Sequence, residues 1–348
     1  MDGLTRLGDD VRKDLTLVTG AGGFIGGHLV AELLRRGLAV RAVDRKPLAE
    51  WHQRFPVTES LQLDLADPLA CGIAVAGCGN VYNLAADMGG MGFIETHKAD
   101  CMLSVLINTN LLLAARDAAV ARYFYSSSAC VYAAGKQSSA AVVALREQDA
   151  YPAQPEDGYG WEKLFSERMC RHFSEDYGLV TRVARYHNVY GPNGVFSGGR
   201  EKAPAAICRK VIQAKLSGDH RIEVWGDGEQ TRSFMYVDDC IDGTIKLMGS
   251  AVAEPINIGS SELVSINQLV DMAAEIAGIE PIRSHDLSAP QGVRGRNSDN
   301  TLIQARLGWE PSFPLRRGLE LTYRWIYDSI ASPHRNAAAS GAITAVAG

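Results

Sequence analysis

The chain has 348 residues, 46% of them hydrophobic and 22% charged, which is enough apolar material for a full core and favours one large and one small domain. A net charge of -5 excludes a general electrostatic attraction to nucleic acid or to an anionic membrane, so neither is expected as a partner. Seven cysteines, at 71, 78, 101, 130, 170, 208 and 240, show neither metal-ligand nor disulfide spacing, which predicts reduced thiols and no metal site.

Met1 to Asp14 mixes charges with Leu and Val and lacks an apolar h-region. No apolar run approaches the ~20 residues that span a bilayer, so a soluble cytoplasmic protein is expected. Residues 15–19 form a short β-prone run that ends in Gly20, Ala21, Gly22, Gly23, Phe24, Ile25 and Gly26, and Leu29, Val30, Leu33 and Leu34 then recur at helical spacing. Further strands are predicted at 39–43, 61–63, 80–84, 123–126 and 180–186, with helices at 104–118 and 159–177 between them. Strands alternating with helices predict an α/β fold, a Rossmann-type doubly wound parallel sheet with a smaller discontinuous α+β lobe.

Gly20, Gly23 and Gly26, with Phe24 and Ile25 between them, make a strand-loop-helix cradle in which backbone can approach a pyrophosphate at a helix N-terminus. Asp44 ends the second strand, where a carboxylate accepts from an adenosine ribose hydroxyl, and its charge favours NAD over NADP despite the neighbouring Arg45. Asp64 and Leu65 are placed to meet the adenine. Leu84, Ala85 and Ala86 supply small residues where a strand end passes the cofactor. Residues 1–186 are thus expected to form the NAD-binding domain, with 233–260 returning to it. Residues 187–332 form mainly the second lobe, and 333–348, rich in Ala, Ser and Gly, a disordered tail.

Tyr159 and Lys163 stand four apart on a helix whose apolar face reads Trp161, Leu164, Phe165 and Phe173. A phenol ionises near pH 10, and an ammonium ~4 Å away at an effective dielectric of ~20 favours the phenolate by ~4 kcal/mol, which suits a hydride-transfer base. Ser126, Ser127 and Ser128 end the strand before it, and Ser127 or Ser128 would contact the reacting hydroxyl.

The glycine loop, Asp64-Leu65, Asn83-Leu84-Ala85-Ala86, the serine-rich strand end with Val131-Tyr132, Tyr159 with Lys163, and Arg185 to Pro192 together resemble the extended short-chain dehydrogenase/reductase superfamily over nearly the whole chain. The resemblance implies NAD in the large domain and a nucleotide sugar at the small one. In that superfamily's 4,6-dehydratases the residues before Val-Tyr are typically Thr-Asp-Glu. Here they are Ser128-Ala129-Cys130, which lack the acid pair. A thiol suits another chemistry, because protons next to a C4 ketone are removable by a side-chain base.

Cys130, Lys202 in the loop 198–204, the run from Asp87 through Gly89 and Gly90 to Phe93, and the run 292–299 closely resemble the GDP-mannose 3,5-epimerase family over residues 15 to 330. That resemblance implies oxidation at C4 with Tyr159, Lys163 and Ser128, and base and acid roles for Cys130 and Lys202 at C5 and C3. It also implies nucleotide-sugar binding by Asn188, Glu201, Lys210, Gln230, Arg232 and Arg296, room for the hexose at Gly89 and Gly90, and a homodimer formed through the helices at 104–118 and 159–177. Other readings of the same residues are an epimerase or dehydratase of UDP- or dTDP-sugars, or a catalytically idle NAD-binding sensor.

Overall fold

The first strand runs straight into the glycine loop, and strand and helix alternate from there. β1 (Leu15–Thr19), α1 (Phe24–Arg35), β2 (Ala39–Asp44), β3 (Glu59–Gln62), α2 (Pro68–Val75), β4 (Cys78–Asn83), α3 (Met91–Thr96), α4 (Lys98–Asp117), β5 (Arg122–Ser128), α5 (Tyr159–Tyr177) and β6 (Val180–Tyr186) form the first half. They are followed by β7 (Val189–Tyr190), α6 (Ala203–Ser217), β8 (Arg221–Trp225), β9 (Thr231–Ser233), β10 (Met235–Tyr236), α7 (Val237–Gly249), β11 (Ile256–Ile258), β12 (Leu263–Ser265), α8 (Ile266–Ala277), β13 (Ile282–Asp286), β14 (Gly295–Arg296), α9 (Thr301–Leu307) and α10 (Leu315–Thr344). The computed structural model describes the backbone of residues 15–344 and side chains as far as residue 331, so the sequence features of Met1 to Asp14 lie outside the described residues.

The main sheet has seven parallel strands in the order β11-β6-β5-β4-β1-β2-β3. This is a Rossmann-type doubly wound sheet. Its strand order reverses between β1 and β4, where the carboxyl ends of neighbouring strands diverge and leave a crevice for a ligand. One face of the sheet is closed by a core that includes Leu29, Val30, Leu33, Phe124 and Ile241, the other by one that includes Leu17, Leu111, Leu112, Tyr123 and Phe173. The first core continues without a break into the second lobe through Val211, Ile212, Leu269 and Leu319. That lobe holds the small sheets β8 with β13 and β12-β9-β14.

Two expectations need correction. Helix α4 begins at Lys98 rather than 104, and by length and composition alone this one described helix is apolar enough to cross a membrane. Its apolar residues are divided between two faces: Cys101, Leu111 and Leu112 are buried, while Met102, Leu103, Leu106 and Leu113 are exposed. Helix α5 turns differently from its hydrophobic pattern. Trp161 and Phe165 face outward, and the buried face carries Glu162, Lys163 and Glu167 beside Leu164 and Phe173. Polar side chains that pair with one another can be buried, which period alone does not register. The backbone of α10 runs on to Thr344, and 345–348 lie outside the described residues.

Candidate active site

The cleft at the switch point is built on glycine. Gly20 sits at φ +67°, and a Cβ on Gly26 would lie 2.1 Å from the Gly20 carbonyl oxygen, so a larger residue there would push α1 off the loop. Gly23 caps α1 with no side chain, and no acidic residue stands in that helix's first turn. The partial positive charge of the helix N-terminus is therefore left for a phosphate. Asp44 is fixed by two backbone donors, Gly22 N to Oδ2 and Lys46 N to Oδ1, both at 3.0 Å. Asp44 lines the cleft.

A cleft of about 480 Å³ gathers every residue predicted to hold the cofactor: Gly20, Gly23, Phe24, Ile25, Gly26, Asp44, Arg45, Asp64, Leu65, Leu84, Ala85, Ala86, Ser126, Tyr159 and Lys163. Gly89, Ser128 and Lys202 line it as well. The side-chain-free cradle, the open helix end and the fixed carboxylate fit NAD. Arg45 is turned aside, donating to Asp87 at 2.9 Å, so it does not offset Asp44.

Tyr159 is the first residue of α5, which starts so abruptly because Gly158 takes φ +67°. Gly160 lets the helix approach the Cys130 turn, since a Cβ there would lie 2.3 Å from the Cys130 carbonyl oxygen. Ser128 lines the cleft with Tyr159, whereas Ser127 points to the opposite side of the strand and donates to Glu167 at 2.5 Å. Strand alternation puts the two side chains on opposite faces of the strand. Burial holds the Tyr159 phenol well above its ordinary value, the charges of Cys130 and Glu162 push it further up, and Ser128 opposes them. The Lys163 ammonium lies 5.4 Å from the Tyr159 ring centroid and 3.6 Å from the Glu162 carboxylate. The simple picture of an unopposed ammonium beside the phenol is corrected accordingly.

Cys130 lies in a one-turn 3₁₀ segment, Ala129–Val131, capped by Ser128. It packs with Tyr159, Phe93 and Cys101, and Arg296 donates to its sulfur at 3.6 Å. Arg296 is held in place by Gln137 Oε1 at 2.7 Å and by an ion pair with Glu156. An anion formed on the sulfur would meet a guanidinium already in position. Lys202 enters from the second lobe at the N-cap of α6 and makes no ion pair among the described residues. Loss of solvation lowers its pKa, while the nearby Cys130 and Cys240 act in the opposite sense.

The remaining predicted binding residues do not line the cleft. Lys210 bonds the Glu223 carboxylate and backbone, Glu201 accepts from Gly199 N and Arg209, and Asn188 donates to the Ser233 carbonyl. Arg232 is buried and spends its guanidinium on the carbonyls of Thr231, Gln291 and Val293; loss of solvation pulls its pKa down to about 10. Gln230 donates to the Trp225 carbonyl and keeps a buried Oε1 without a partner. The Gly90 N–H donates to the Arg200 carbonyl, and a Cβ there would strike the Glu201 oxygen at 2.4 Å. Beside it, Asp87 accepts from both Arg45 and Arg200, and Arg200 lies 3.7 Å over the Phe93 ring. Sequence reading missed Glu156, Gln137 and Glu162. Only Glu162 left a signal, since it stands inside the Tyr159–Lys163 motif.

Residues 16–259 match the NAD dependent epimerase/dehydratase family. GDP-mannose 3,5-epimerase of Arabidopsis thaliana is 45% identical over 314 residues, covering 90% of this chain and 82% of that protein. Among solved structures, the UDP-glucose 4-epimerase of Thermotoga maritima with UDP-glucose superposes with a TM-score of 0.82 at 26% identity, covering 91% of this chain and 99% of its own. MoeE5 in complex with UDP-glucose and NAD gives 0.75 at 31%, covering 90% and 99%. With the glycine cradle, the Tyr159–Lys163 pair and that coverage, the chain belongs to the NAD-dependent epimerase/dehydratase family and, within it, to the GDP-mannose 3,5-epimerases.

Proposed function

We propose that the chain inverts C5 and C3 of GDP-D-mannose through a transient 4-keto sugar, giving GDP-L-galactose, with GDP-L-gulose when C5 alone inverts. The observation that carries this reading is that Lys202 lines the same cleft as Ser128, Tyr159 and Lys163, with the Cys130 thiol packed against Tyr159 at its edge. The glycine loop, Asp44 and Lys163 would hold NAD, which would supply reversible hydride transfer at C4 and so leave the net reaction redox-neutral. Tyr159 takes the C4 hydroxyl proton, and Ser128 holds that hydroxyl. Once C4 is a carbonyl, the protons on C3 and C5 become acidic, and Cys130 removes them as a thiolate that Arg296 can pair with. Lys202 returns a proton from the other face, and that change of face is the inversion. Tyr159 finally gives its proton back.

Asn188, Glu201, Lys210, Gln230 and Arg232 would bind the nucleotide sugar after exchanging their internal bonds. The exposed Met102, Leu103 and Leu106 of α4 and Trp161 and Phe165 of α5 support a homodimer across these two helices, which pack against each other. Seven unpaired cysteines support a reducing cytoplasm. The purified protein, incubated with GDP-mannose in deuterated water and followed by NMR, should place deuterium at C5 and C3 of the product. Label at neither carbon rejects the reading.

A further inference from the structure

Three residues stand inside the Tyr159–Lys163 motif, and the one charged among them, Glu162, is unused by the reading above. Glu162 is 3% exposed, as deeply buried as Lys163 at 2%. Its Oε1 accepts from Tyr125 and from Ser166, both at 2.9 Å, while Oε2 has no hydrogen-bond partner and lies 3.6 Å from Lys163 Nζ. Neighbouring residues on a helix do not ordinarily face each other. Here both side chains turn toward Tyr125 on the central strand β5, and the ammonium rests 4.7 Å from the Tyr125 ring centroid and 5.4 Å from that of Tyr159. Two aromatic faces cannot by themselves compensate a buried ammonium.

We propose that Glu162 is a positioning residue of the hydride-transfer site, its buried carboxylate anchoring the Lys163 ammonium between the Tyr125 and Tyr159 rings. The inference rests on Tyr159 and Lys163 being the hydride-transfer pair. It adds a second role to the anchor. A lone ammonium would act on the phenol as a full positive charge, whereas an ammonium paired with Glu162 acts as a dipole of much shorter reach. Glu162 therefore keeps Tyr159 a phenol until substrate and cofactor are in place.

The groups facing the pair come from every element packed around it. They are Tyr125 on β5, Cys101 on α4, Cys130 on the 3₁₀ turn, and Glu162 and Cys170 on α5. Among these Glu162 is the carboxylate, and its charge raises Tyr159. Removing the charge should lower it, so the limb of activity on which the phenol gives up its proton moves toward lower pH.

The test is the pH profile of kcat/KM for GDP-mannose with the full-length holoenzyme as wild type, Glu162→Gln, Glu162→Asp and Tyr159→Phe, each checked by thermal melting. Glu162→Gln should move the acid limb to lower pH, so that at a pH where wild type has fallen it retains about threefold or more the fraction of plateau activity that wild type does, with an unchanged KM. Glu162→Asp, which draws the carboxylate back from Lys163, should move it the same way by less. If the glutamine variant does not fold, the aspartate variant carries the test. Limbs that superimpose on wild type overturn the proposal, as does a loss that appears only in melting temperature or KM. If Tyr159→Phe turns over like wild type, the hydride-transfer reading itself fails and takes this proposal with it. An inactive Tyr159→Phe with an unmoved Glu162 limb sinks the role of Glu162 alone.

Discussion

Arg296 and Cys130 stand 166 positions apart in the chain and meet at 3.6 Å, guanidinium to sulfur, with Glu156 and Gln137 gripping the other arms of the arginine. The thiol proposed as the base is thus not a loose side chain in a pocket. It sits on a capped turn, under a cation that two further residues hold still. Cys130→Ala should cut deuterium incorporation from solvent by a factor on the order of 10² to 10⁴. Absorbance of reduced cofactor on addition of GDP-mannose should survive, because C4 oxidation does not use the thiol. Loss of both signals together would contradict the division of labour.

The grip on Arg296 can be probed from the far side. Glu156→Gln leaves the thiol untouched but removes the charge that orients the guanidinium. Exchange at C5 should fall about tenfold while cofactor content stays at the wild-type level. An unchanged exchange rate would show that Arg296 needs no such support.

Lys202 gives a signed pH prediction. Desolvation lowers its pKa, so the protonated form required of a general acid is lost below the range of an ordinary lysine, near 10.4. The alkaline limb of the epimerisation rate should fall at lower pH than that value, and Lys202→Met should abolish exchange. For stability the sign runs the same way. A lysine with a lowered folded pKa carries its desolvation penalty while protonated, and the penalty fades as pH rises through the folded value. Lys202→Met should therefore raise the melting temperature more at pH 7 than at pH 10. Equal gains at both would mean the amine is solvated in the folded protein.

The glycine cradle is a steric demand rather than a preference. A Cβ on Gly26 would lie 2.1 Å from the Gly20 oxygen, a distance no side-chain rotation relieves. Gly26→Ala should cost NAD affinity by about tenfold or more, read by calorimetry or by the cofactor content of purified protein. Asp44→Asn should narrow the preference for NAD over NADP without that loss of fold.

Deep in the large domain Arg185 and Glu167 form an ion pair at 2.7 Å in which both side chains are 2% exposed. Ser127 also donates to Glu167, and Arg185 reaches the Glu147 carbonyl. Glu167→Ala strands the guanidinium and should lower stability by about 3–5 kcal/mol in urea denaturation. A change below about 1 kcal/mol would mean that water reaches and solvates the arginine.

Much of this protein can be read along the chain because its chemistry begins with short-range geometry. A glycine loop between a β-prone run and a helical pattern, an acidic residue one strand later, and a tyrosine four residues before a lysine are all set by the rise and turn of single elements. The structure collects the residues read in this way into one cleft. The hydrophobic pattern of α5 misled for a specific reason. Trp161 and Phe165 looked like core because they are apolar, yet they face outward, while Glu162, Lys163 and Glu167 are buried through mutual pairing.

By itself, the sequence determined the parallel sheet, the cofactor cradle, the Tyr159–Lys163 pair and the presence of a thiol and an amine with no structural partner in view. Only the tertiary structure decided where charge resides. It set Arg296 against Cys130, brought Lys202 in from the second lobe, placed Glu162 beneath Lys163, and turned Arg232 and Lys210 onto partners of their own. Local geometry follows from neighbours in the chain. The field at a reacting atom follows from every charge within several ångströms, whatever its position in the sequence.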